Sequence, residues 1–283
     1  MQRHTATFAV LTGCALLATA GCFGTSSQSG SSSGAASASA PSPRPATSPA
    51  ASEVDLPQGG EPVDLDPSDF TTRIDNPWWP MKPGTRWTYR EVEGGSVNKV
   101  IVIVTHETAK LADGVTARVV RDTVSEDGQL VEDTKDFYAQ DQQGNIWYLG
   151  EQTAEFENGK VATREGSFEA GKDGALPGII MPAQPQPGQK YRQEYLKGQA
   201  EDQGAVLSTD EMVQAPYGFF RHALLTRDTN PLEPKVLEYK LYAKGVGPVL
   251  TLGASGGAAR EELLSVGQAP RWAGTGPLGR PGS

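Results

Sequence analysis

Four close pairs of carboxylates are the first residues that could do chemistry: Asp133/Asp136, Glu165/Glu169, Glu201/Asp202 and Glu261/Glu262. Paired carboxylates can divide the roles of general acid and general base. Glu165 and Glu169 are four residues apart, so on a strand they share a face at about 13 Å. That is wider than a glycosidase pair needs, although a pair drawn from two strands stays open. Taken singly, the pairs read as a solvated acidic face. Gly253-Ala-Ser255-Gly-Gly257 matches the G-x-S-x-G pattern of a nucleophile elbow. However, His4, His106 and His222 all precede Ser255, so no histidine follows it, and a Gly-rich hairpin tip explains the match. Gly274-Thr-Gly276-Pro-Leu-Gly279 matches G-x-G-x-x-G, but it follows no strand and opens no helix. Neither His106 nor His222 has a second imidazole or thiol at ligand spacing. The sequence therefore assigns no catalytic residue, no metal ligand and no cofactor.

Aromatic side chains form the better candidate set. Asn76-Pro-Trp78-Trp79-Pro80 places two tryptophans in a proline-framed turn, and Tyr138, Trp147 and Tyr148 come from a hairpin. Rings of this kind can line a pocket for an apolar or glycan ligand, or form the core of a sheet. The segment Gly171–Gly188 holds four glycines and four prolines around Ile179, Ile180 and Met181. It reads as a long loop folded over the open face of a sheet, acting as a plug or as a ligand lid. The ligand-binding candidates are thus Trp78, Trp79, Tyr138, Trp147, Tyr148, Ile179, Ile180 and Met181.

Strands and hairpins must position these residues. Asp113-Gly114, Asp127-Gly128, Gly144-Asn145 and Asn158-Gly159 supply the positive-φ residues that tight hairpins need. Their glycines fall 14, 16 and 15 residues apart, which suits one strand plus one turn, repeated. Lys99–Thr105 is a β-branched run. Later strand candidates are Lys190–Leu196, Asp210–Ala215, Phe219–Arg227, Val236–Tyr242, Val246–Leu252 and Ala259–Val266. No stretch of 12 residues carries a capped 3.6-residue period. Ser208-Thr-Asp-Glu211 resembles a capping box, yet it reads as strand or loop. Pro83-Gly-Thr-Arg-Trp87 recurs as Pro187-Gly-Gln-Lys-Tyr191, a repeated turn chemistry. The expected fold is all-β: a single antiparallel meander sheet, curled into a half-barrel or sandwich, over residues 54–270. Residues 271–283 read as a flexible tail.

The N-terminal region is an address. Arg3 and the α-amino group precede an apolar stretch, Thr5–Ala20, too short for the roughly 20 residues of a membrane span. Ala20-Gly21-Cys22 resembles the lipobox of bacterial lipoproteins, in which the cysteine sulfur takes a diacylglycerol. Thr19 stands where that pattern prefers leucine. Residues 1–21 are the implied signal peptide, with Cys22 as the lipidation site. Residues 22–53 are almost wholly Ser, Gly, Ala, Pro and Thr, with Arg44 as the one basic residue, a composition of disordered linkers. It resembles the stalks of high-GC Gram-positive lipoproteins. From Glu53 onward, 23 basic residues face 34 acidic ones, a net charge of −11 that argues against nucleic-acid binding.

Several stretches resemble an uncharacterised family of secreted bacterial proteins, common in actinobacteria. They are Asn76–Tyr89, Tyr138–Glu151, Gly166–Gly171, Pro177–Ala183, Tyr191–Tyr195 and Leu237–Gly247, and they cover most of residues 70–250. The resemblance carries over no activity and no catalytic residue. The expectation is a lipid-anchored protein on the outer face of the cytoplasmic membrane. It is expected to be non-enzymatic, binding an apolar or glycan ligand or an envelope protein partner. The alternatives are a carboxylate-based hydrolase of cell-wall glycans and a structural module without a ligand.

Overall fold

Two-residue turns set the register of the first hairpins. Asp127 and Gly128 take φ values of 49° and 79°, and Asn158 and Gly159 take 52° and 73°. Both central residues lie in the left-handed region, and that twist matches the right-handed twist of the flanking strands. The computed structural model describes residues 56–255 and 259–280. The signal peptide, Cys22, the linker up to residue 55, and Gly256 and Gly257 of the elbow-like motif lie outside the described residues.

A 3-10 turn, Pro67–Asp69, precedes sixteen strands. They are β1 (Phe70–Thr71), β2 (Thr85–Glu93), β3 (Ser96–Lys110), β4 (Thr116–Glu126), β5 (Gln129–Asp141), β6 (Ile146–Glu157), β7 (Lys160–Thr163) and β8 (Phe168–Glu169). Then follow β9 (Leu176–Met181), β10 (Lys190–Arg192), β11 (Glu194–Tyr195), β12 (Gln203–Ala215), β13 (Gly218–Thr229), β14 (Leu237–Ala243), β15 (Gly247–Ser255) and β16 (Arg260–Gln268). Every pairing is antiparallel, as an all-β meander requires.

The order along the sheet is β10-β12-β13-β14-β15-β16-β2-β3-β4-β5-β6-β9-β11. Its two ends, β10 and β11, are separated in the chain by Gln193 alone. One segment, Lys190–Tyr195, therefore pairs with β12 through its first half and with β9 through its second. The sheet curls nearly all the way round into a barrel. Gly178 in β9 makes the seam possible, since a Cβ there would lie 2.2 Å from the carbonyl oxygen of Gln193.

Gly171–Gly188 is not the loop that its glycines and prolines suggest. Leu176–Met181 is strand β9, part of the barrel wall, paired with β6 and β11. Ile179, Ile180 and Met181 are buried there as wall residues, neither plug nor lid. The plug comes from elsewhere. The Asn76–Pro80 turn closes one end of the barrel and drops Trp79 onto Tyr138 and Tyr242, with ring centroids 5.9 and 6.0 Å apart. Asn76 fixes the turn by donating through Nδ2 to the carbonyls of Gly144 and Pro182, at 2.9 and 3.1 Å. Residues 271–280, the stretch read as a tail, lie against β4 and β5. There the carbonyls of Gly274, Gly276 and Pro277 accept hydrogen bonds from Arg121.

Candidate functional site: the polar half of the barrel

Alternation along the strands sends every second side chain inward. Register then lines up an unbroken row of polar residues on one inner face. The row runs Thr226–Lys240–Thr251–Glu261–Glu91–Asn98, each paired directly with the next across five strand boundaries. Across the barrel, Asp122, Thr134 and Thr153 form a second row, and Val120, Asp136 and Glu151 a third. Aromatic and aliphatic side chains fill the plugged end, whereas these rows fill the half toward the Gly94-Gly95, Asp127-Gly128 and Asn158-Gly159 turns.

Hydrogen bonds satisfy part of this polarity. Asn98 Nδ2 donates to Glu91 Oε2 at 2.9 Å, and the hydroxyls of Thr134 and Thr153 lie 2.6 Å apart. Lys240 Nζ lies 2.7 Å from Asp228 Oδ2 and 3.6 Å from Glu238 Oε2. The Tyr148 hydroxyl lies 2.9 Å from Asp136 Oδ1 and 3.0 Å from Glu151 Oε2. A phenol has one proton, for which the two carboxyls compete.

Burial pushes Asp136 up to about 8, against the pull of the Tyr148 hydrogen bond, and Glu132 adds to the rise. Burial and then Asp122 raise Glu132 to about 8. Burial raises Glu91 to about 7, although Asn98 opposes it. Asp122 and Glu261 are held well above the carboxylate range by burial and by the carboxylates around them. Burial pushes the Lys240 ammonium down, but Asp228 and Glu238 outweigh it and keep Lys240 charged.

Several inward oxygens find no partner among the described residues: Asp122 Oδ1, Glu132 Oε2, Asp136 Oδ2, Glu261 Oε2 and Thr251 Oγ1. Their side chains are buried, with Asp136 fully so. A buried polar atom without a partner loses the full desolvation free energy, about 1–3 kcal/mol. The rows run toward one end of the barrel. Glu93, Glu126 and Glu155 continue them and are half-buried, and the turns beyond are exposed. The buried acids of the interior thus continue into half-buried acids at that end of the barrel. No group of three His, Cys, Asp or Glu side chains among the described residues is arranged to hold a metal ion.

The eight aromatic and apolar candidates all join one buried core cluster. Trp79, Tyr138 and Tyr148 come together inside the barrel, where the two tyrosines stack at 5.0 Å. Trp147 turns its edge to Phe70 at 6.0 Å and donates Nε1 to Asp141 Oδ2 at 2.8 Å. Ile179 pairs with Trp147 across β6 and β9, and Met181 pairs with Ile146. Trp78 sits beneath the Lys244 ammonium, 4.7 Å from its ring, and Ile180 is buried in the wall.

The carboxylate pairs need correction. Asp133, Asp136, Glu261 and Glu262 are buried, not a solvated face. Within each pair, alternation sends the two acids to opposite sides. Asp136 and Glu261 face inward, whereas Asp133 pairs with Arg121 and Glu262 with Arg90 and Arg260 on the outside. Sequence reasoning passed over Glu91, Asp122 and Glu132. A signal was present in Trp87-x-Tyr89-x-Glu91, where an acid extends the period-2 face of two aromatics.

No protein-family model matches the chain, and no curated protein matches it. Two solved structures are similar in outline. One is a candidate exported protein with a YmcC-like fold from Bacteroides fragilis, at 16% identity and a TM-score of 0.39, covering 68% of this chain and 99% of that one. The other is a candidate lipoprotein from Parabacteroides distasonis, at 13% identity and a TM-score of 0.36, covering 67% and 98%.

Proposed function

We propose that this chain is an extracytoplasmic, membrane-anchored binding protein without catalytic activity, whose barrel takes a small polar ligand at its acidic end. One observation carries the reading. Oxygens of Asp122, Glu132, Asp136, Glu261 and Thr251, from four strands, converge on one interior without hydrogen-bond partners among the described residues. Ligand sites commonly combine an apolar floor with a few convergent polar groups. Here the stacked Tyr138 and Tyr148 supply the floor, and the carboxyl rows supply the groups. The aromatic candidates support the site from below, which favours a polar ligand over an apolar one.

Anchoring through Cys22, with residues 22–53 as the tether, follows from the lipobox-like Ala20-Gly21-Cys22. A diacylated cysteine gives stable membrane attachment where one chain is marginal. Replacing Cys22 by Ser should move the protein from the membrane fraction to the soluble fraction. Unchanged membrane association would remove the anchor from the proposal.

Native mass spectrometry of the full mature chain, extracted from its host in mild detergent, tests the binding reading. A discrete adduct lost on replacing Asp122 by Asn and Glu261 by Gln is the expected result. A bare mass from the host, with no adduct on adding host extract, overturns it. A second reading draws on one specific feature. Asp136, held protonated beside Glu151, has the properties of a general acid in a carboxylate-based glycan hydrolase. Hydrolysis of cell-wall fragments that survives Asp136→Asn would sink that alternative.

A further inference from the structure

The outer face of the wall beside the seam carries a different chemistry from the interior. Register across β10, β12 and β13 lines up Lys190, Ala205 and Arg227, with Gln203 and Thr229 paired in the next row of the same face. Tyr191 and Asp228 turn inward and are buried, so alternation turns Lys190 and Arg227 outward. Lys190 is exposed and Arg227 is half-buried. They flank Ala205 from the two neighbouring strands, at a Cα separation of about 10 Å, and the small alanine leaves the space between them open.

A cleft of about 360 Å³ lies over this face. Gln58 and Gly59 line it from the N-terminal segment, which is fixed to the strands. Gln58 Nε2 donates to the carbonyl of Lys190, and the Arg192 amide donates to the carbonyl of Pro57 at 2.7 Å. No Asp or Glu lines the cleft, although acidic residues outnumber basic ones 34 to 25 in the chain. Neither Lys190 nor Arg227 makes an ion pair among the described residues, whereas Arg73, Arg90, Arg121, Lys240 and Arg260 all do.

Two uncompensated cations on either side of one gap favour an anion of more than one charge. A guanidinium offers a planar fork of donors that fits phosphate oxygens, and an ammonium adds a point charge. The volume falls within the roughly 300–1,000 Å³ of small-molecule sites, which leaves room beyond a phosphate group. There the Gln203 amide and the Thr229 hydroxyl offer donors and acceptors suited to alcohol groups. We infer that this cleft binds the phosphomonoester of a small polyol, with its phosphate between Lys190 and Arg227 and its hydroxyls against Gln203 and Thr229. The site lies on the outer wall and is independent of the barrel-binding reading.

Isothermal titration of the full mature chain with glycerol 3-phosphate, at pH 7.5 and 50 mM NaCl, tests it. One site per chain is expected, weakened by roughly fivefold or more by Arg227→Gln and by Lys190→Gln. Arg73→Gln, at an exposed arginine outside the cleft, should leave it unchanged. Glycerate, with one charge, should bind more weakly by a similar factor. Lowering the pH to 5 should weaken glycerol 3-phosphate severalfold, because the phosphate then carries about one charge in place of two. Should Arg227→Gln fail to fold, the exposed Lys190→Gln still decides. Absence of binding overturns the inference, as does binding that both cleft variants leave intact or that Arg73→Gln weakens equally. Glycerate binding as tightly as glycerol 3-phosphate overturns it too.

Discussion

Asp133 and Asp136 stand three residues apart and live in opposite environments. Asp133 faces outward, fully buried, and makes a two-pronged contact with Arg121, whose guanidinium also donates to the carbonyls of Gly276 and Pro277 at 3.0 Å. Removing one partner of such a pair strands the other charge. Asp133→Asn should therefore lower the unfolding free energy by about 3–5 kcal/mol in urea denaturation. Asp136 faces inward and already holds a proton near neutral pH. Asp136→Asn should leave stability near that of the parent at pH 5 and raise it at pH 8. A large loss at pH 5 would contradict a protonated Asp136. The identity of each acid was legible in the sequence, but the side it faces was not. A one-residue change in register exchanges the faces of a whole strand.

At the scale of elements, turn chemistry was the most readable feature. The two Pro-Gly turns behave alike. Gly84 and Gly188 take φ of 91° and 94°, and their amides donate to Val104 and Val206 across the sheet at 2.8 and 2.9 Å. Each turn delivers its aromatic, Trp87 or Tyr191, into the buried interior. The seam was not readable. Leu176–Met181 looked like loop because Pro177 and Gly178 interrupt it, and both are depleted in strand interiors. Pro177 is tolerated because β9 is short and meets only the two-residue β11 on that side. Gly178 is required because the backbone of Arg192 and Gln193 passes against it. Gly178→Ala should reduce stability by about 1–3 kcal/mol, since backbone and not a flexible side chain must move. A thermal melt matching the parent would show that the seam yields without cost.

At the scale of the molecule, the acidic interior ties stability to pH. Glu91, Glu132 and Asp136 bind protons in the folded state up to about pH 7, 8 and 8. In the unfolded chain the same groups lose their protons near pH 4. Between these limits the folded state holds more protons, so the unfolding free energy falls as pH rises. Their contribution is fully present below about pH 4 and is lost as pH rises to about 8. Melting temperature should accordingly be higher at pH 5 than at pH 8, and Asp122→Asn with Glu261→Gln should flatten the difference. A melt that rises from pH 5 to pH 8 would contradict the buried cluster.

Composition and local spacing by themselves determined the class of fold and the hairpin turns. These depend on neighbours within a few residues, through φ preferences and alternation. Tertiary structure decided the rest. It closed the sheet by letting one segment pair with two distant strands, moved the plug from Gly171–Gly188 to the Asn76–Pro80 turn, and placed the interior acids side by side. The reason is physical: a sheet's pairing partners are set by hydrogen bonds between residues far apart in the chain. Glu91 and Glu261 become neighbours only when strands 170 residues apart come into register.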